Sequence, residues 1–72
     1  MAPDMKAAIV KEMVALMAER ISVATGHTRS AMALMNDNHA ERGFDILLDA
    51  EQPLHEARTL LNAMSLLFRD GS

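Results

Sequence analysis

The chain has 72 residues, a mass of 7.9 kDa, a net charge of −3 and no cysteine. That length allows one domain, residues 1–72, and the missing thiols exclude disulfides and thiolate-ligated zinc. An acidic balance, with a pI near 5.4, gives no general attraction to phosphate backbones or anionic lipid.

A compact chain of this mass keeps about 4,400 Å² of the roughly 11,400 Å² that its unfolded form exposes. Burying the difference, with about 60% of it apolar, contributes about 105 kcal/mol. Conformational entropy opposes it with about 108 kcal/mol. A balance so close to zero makes a partner subunit the expected source of extra stability. Half of the residues are hydrophobic, but only Phe44 and Phe68 are aromatic. The apolar mass is 12 Ala, 9 Leu and 7 Met, with Ile and Val totalling six. This mixture favours helix and disfavours sheet. The expected fold is therefore all-α, a bundle of three to four helices at about 4–25, 28–36, 39–51 and 53–69, completed by homodimerisation.

The first predicted helix is capped by Asp4. Its apolar residues fall in two stripes, Met5, Ile9, Met13, Leu16 and Val23 beside Val10, Val14, Met17 and Ile21. At 100° per residue these merge into a face about 180° wide, more than one neighbouring helix covers. Self-association is expected there, through Met13, Val14, Met17 and Ile21. Thr25-Gly26 supplies a stop, since glycine tolerates the left-handed conformation that ends many helices; continuation through Gly26 costs about 1 kcal/mol relative to Ala. Thr28 then caps a short second helix through Ala31, Met32, Leu34 and Met35, which runs out at Asn36-Asp37-Asn38-His39.

Asn38 and Glu41 approximate a capping box for a third helix, with Ala40, Phe44, Leu47 and Leu48 on one face. Pro53 fits the first turn of the last helix, where its missing N–H costs nothing. Leu54, Ala57, Leu61, Met64 and Phe68 follow with 3-4-3-4 spacing, up to Arg69 at the negative end of the helix dipole. From this stripe Leu54, Leu61, Met64 and Phe68 are the candidates for the core or for a groove that holds a protein partner.

No motif carries catalytic chemistry. The histidines at 27, 39 and 55 lack the i,i+4 spacing of a metal pair on one helix face, so no metal or cofactor is expected. An EF-hand loop beginning at Asp37 puts Arg42 where glycine is required, and one beginning at Asn38 offers Ala40 and Arg42 as ligands. Glu41, Asp45 and Asp49 form an acidic stripe, read as a solvated face, with docking of a basic partner as the alternative. Ser22, Ser30 and Ser65 lie in no nucleophile elbow. The paired methionines Met13/Met17 and Met32/Met35 fit gap-filling in a core poor in aromatics, or an adaptable groove for a helix.

The segment 20–36 bears a faint helix-turn-helix pattern, with Arg20, His27, Thr28 and Arg29 as candidate nucleic-acid contacts and Arg29 as the guanine reader. Its few cations disfavour that reading. Residues 7–18 are too short and too charged to span a bilayer and do not form a secretory signal, so a cytoplasmic protein without membrane contact is expected. The function most consistent with these residues is that of a small non-enzymatic interaction protein, a regulator, adaptor or chaperone-like subunit. It acts by packing helices with itself and with an unidentified protein; the alternative is a DNA-binding regulator.

Overall fold

A computed structural model describes residues 2–70. It contains α1 (Pro3–Asn36), α2 (Ala40–Leu48) and α3 (Glu51–Asp70), and no strand among the described residues. The all-α expectation is met, but the architecture is one long helix against one bent helical arm, not a bundle of three or four separate helices. Both α2 and α3 pack on α1. The result is a rod of 54 × 15 × 12 Å.

The expected break at Thr25-Gly26 does not occur, and α1 runs through it for 34 residues. The hydroxyl of Thr25 donates to the Ile21 carbonyl at 2.9 Å, and that of Thr28 to the Ala24 carbonyl at 2.9 Å. Both threonines therefore bond back into the preceding turn and cap nothing. Gly26 lies on the exposed side, with helical backbone. Its neighbours Ala24, His27 and Ala31 face the arm, and this packing offsets the glycine cost of about 1 kcal/mol.

The start of α1 also differs from expectation: Ala2 is the N-cap, Pro3 occupies the first turn, and Asp4 makes no cap but sits where a negative charge suits the dipole. At the far end, Asn38 does not cap the next helix. Its φ of 65° places it in the left-handed region. The His39 N–H donates to the Leu34 carbonyl at 2.8 Å, and the Asn38 N–H to the Met35 carbonyl at 3.2 Å. These two bonds are a Schellman closure of α1, with Asn in the place that glycine usually takes. His39 is the N-cap of α2, without a side-chain bond.

Pro53 causes the bend in the arm. It lies in the first turn of α3 and is buried, its nitrogen has no proton to give the Asp49 carbonyl, and its ring crowds that carbonyl. The chain tightens there, with the Asp49 N–H on Ile46 and the Ala50 N–H on Leu47, both at 3.0 Å. Regular bonding resumes with the Leu54 N–H on Ala50 at 3.2 Å.

Every buried or half-buried position of α1 belongs to one series: Lys6, Val10, Met13, Met17, Arg20, Ala24, His27, Ala31 and Leu34. The spacing alternates between four and three. The arm answers with Gly43, Ile46, Ala50, Pro53, Ala57, Leu60, Met64 and Leu67, on the same alternation. This is the seam of an antiparallel two-stranded coil, and its buried hydrophobic residues are Ala24, Ala31, Ala50, Ala57 and Met64. Small side chains let the backbones approach closely. A Cβ added at Gly43 would stand 2.9 Å from the Ala31 carbonyl oxygen and 3.0 Å from Met35 Cγ.

The two glycines should therefore respond oppositely to alanine. At Gly26 an added Cβ meets nothing within 4 Å, and Gly26→Ala is expected to raise stability by about 1 kcal/mol in urea unfolding. Gly43→Ala is expected to lower it by about 1–2 kcal/mol, because a backbone oxygen obstructs the methyl group. Equal effects at the two positions would contradict this packing.

Candidate interaction surface

The seam is so narrow that most bulky side chains lie outside it. The residue that follows a seam position is apolar at Val14 and Ile21 in α1, and at Leu47, Leu54, Leu61 and Phe68 in the arm. All six are exposed. Because the helices run antiparallel, these positions come to one side of the hairpin. Ile21, Thr28 and Met32 of α1 line a common groove with Leu54 of α3. This open groove holds about 230 Å³, below the ~300 Å³ at which small-molecule sites begin.

The opposite side has a different character. Ile9, Leu16 and Val23 are exposed there on α1, and the arm places Glu56 beside Leu16. The groove on that side is lined by Leu16, Arg20, His55, Glu56, Thr59 and Leu60. Arg20 reaches from the seam to Glu56 of α3 at 3.6 Å and to its own neighbour Glu19 at 2.7 Å. Its Nε is buried without a hydrogen-bond partner. Partly exposed pairs of this kind contribute at most about 1 kcal/mol, so Arg20 serves register more than stability. Near the other end of the hairpin, Lys6 Nζ stands 4.7 Å from the Phe68 ring centroid, tying the start of α1 to the end of α3.

The residues expected to mediate self-association divide between seam and surface. Met13 and Met17 are half-buried against the arm, while Val14 and Ile21 are exposed beside it. The stripe read on the last helix divides likewise. Met64 is buried at 6% exposure, but Leu54, Leu61 and Phe68 stand at 52%, 48% and 58%. The seam takes Pro53, Leu60 and Leu67 in their place. On α2 the inward residues are Gly43 and Ile46, with Phe44, Leu47 and Leu48 outward.

The nucleic-acid candidates do not form a reading head, since 20–36 is one uninterrupted helix without the turn the motif needs. Arg20 and His27 lie in the seam, Thr28 is bonded to Ala24, and Arg29 is exposed beside the groove that Ile21 and Leu54 line. Glu41, Asp45 and Asp49 are exposed on the arm. Among the described residues no three His, Asp or Glu side chains gather to hold a metal ion, and no helix is long and apolar enough to cross a membrane.

Of the small residues in the seam, Ala24, Gly43 and Ala50 escaped the reading of the sequence, as did the Arg20–Glu56 pair. A signal was present: Ala24 and Ala31 are seven residues apart, as are Gly43, Ala50 and Ala57. No family model, curated protein or solved structure matches the chain.

Proposed function

We propose that this protein is a non-enzymatic helical interaction protein, a regulator, adaptor or chaperone-like subunit that works by docking helices on its apolar flank. The observation that carries the reading is the row Val14, Ile21, Leu47, Leu54, Leu61 and Phe68, exposed along one side of the hairpin. Contiguous apolar patches of this kind on a small protein mark interaction sites. Leucine, valine and phenylalanine on neighbouring antiparallel helices suit a helical occupant, which buries its own apolar stripe in return. Thr28 and Met32 beside Ile21 add a polar edge and a pliable thioether.

DNA binding is the weaker reading, because a continuous α1 leaves Arg29 without the second helix that would aim it at a base edge.

Two experiments test the proposal. Tagged protein and a Leu54→Gln/Leu61→Gln double variant would be used to capture proteins from native extract, with circular dichroism confirming helical folding of both. The reading expects proteins, a second copy of the chain or others, that the original holds and the variant loses; identical captures would contradict it. It also expects no retention of duplex DNA at low salt. Salt-sensitive binding that weakens on Arg29→Ala would favour the DNA reading instead.

A further inference from the structure

The hairpin is far from compact. Its radius of gyration is 16.5 Å, against about 11 Å for a compact chain of this length. Its accessible surface is 5480 Å², where a compact monomer of this mass has about 4,400 Å². The excess of about 1,100 Å² is of the size that a standard protein interface removes from each partner, about 800 Å². Among the described residues no large side chain is fully buried, so the material of a core exists and lies outside.

The apolar flank has the properties of a surface that meets its own copy. It is two helices wide, with contributions from α1 and from the arm, and it follows the arm from Leu47 in α2 to Phe68 near the end of α3. An occupant that covers it must therefore match the hairpin in length and width. None of its six residues is charged; the charged side chains beside them are Arg29, in the groove with Ile21 and Leu54, Lys6, over the Phe68 ring, and Glu51 and Arg58, which share a groove with Leu54. On the opposite side the charges Arg20, Glu19 and Glu56 are already paired within one chain. We infer that two chains join flank to flank about a two-fold axis, making a four-helix bundle whose second core consists of Ile21, Leu54, Leu61 and their neighbours. Isologous pairing of this kind is the commonest way for a small helical chain to complete itself. The inference rests on the docking role of the flank and names the occupant.

The absence of cysteine from the chain permits a test that leaves the fold intact. Sedimentation of the original protein from micromolar to millimolar concentration is expected to give a species of twice 7.9 kDa. Single variants Leu61→Cys, on the flank, and Leu16→Cys, on the opposite side, are then alkylated across the same range. Leu61→Cys should react about tenfold more slowly once the chain is dimeric, a protection of one decade in the equilibrium, while Leu16→Cys should react at one rate throughout. Ile21→Glu/Leu61→Glu should sediment as a helical monomer, and Leu16→Glu/Val23→Glu as a dimer. A monomeric original protein overturns the inference, as does protection at position 16 but not 61. If the monomer still loses its captured proteins on Leu54→Gln/Leu61→Gln, the docking role stands and only the second copy is wrong; if it captures none, both fail.

Discussion

Close approach of two backbones at Ala31 and Gly43 sets the geometry on which the rest of the hairpin depends. With only 2.9 Å between the Ala31 oxygen and the place of a Gly43 Cβ, the helices meet along residues that have little or no side chain. Ala24, Ala50 and Ala57 continue the contact at the same heptad position. Such a seam gains dispersion energy from proximity, but it buries little apolar area per residue. It also decides which residues cannot be inside. Any bulky side chain next to the seam is pushed to its edge, and the leucines at 54 and 61 are displaced in this way.

The remaining devices of the fold keep that contact in register. Asn38 closes α1 in a left-handed turn, which reverses the chain within three residues and brings Gly43 back onto Ala31. Pro53 bends the arm while remaining in the seam, so that α2 and α3 both follow the one long helix. Arg20 with Glu56, and Lys6 with Phe68, mark two further points at which only one antiparallel alignment brings the partners together. The proposed function rests on what is left outside: one side that carries the Arg20 pair beside Leu16, and another where Ile21, Leu54 and Leu61 are exposed.

Helix class was legible in the sequence because Ala, Leu and Met dominate it, and the region of the last helix was legible because Pro53 and the apolar spacing agree. The inward face was harder to read. Hydrophobicity points to Val14, Ile21, Leu54 and Leu61, whereas the α1 seam holds Lys6, Arg20 and His27 beside alanines, so an apolar periodicity gives the wrong phase. On α3 the two phases share Ala57 and Met64 and differ by one residue at Leu60 or Leu61, and only the width of the seam selects between them. The break expected at Thr25-Gly26 failed for a related reason. A local glycine cost of about 1 kcal/mol is smaller than the packing of a helix whose inward neighbours are buried on both sides of it. The broad face of the first helix, by contrast, was read correctly as wider than one neighbour covers. Val14 on one side and Leu16 on the other remain exposed after the arm has packed.

The central claim is that an alanine-lined hairpin is incomplete alone and gains its missing core from another chain. Mass action tests this most directly, since the stability of a folded dimer depends on protomer concentration and that of a monomer does not. The midpoint of thermal unfolding, followed by circular dichroism over a hundredfold dilution that begins in the high micromolar range, is predicted to fall with each dilution step. A cooperative transition at one temperature across the whole range would contradict the account.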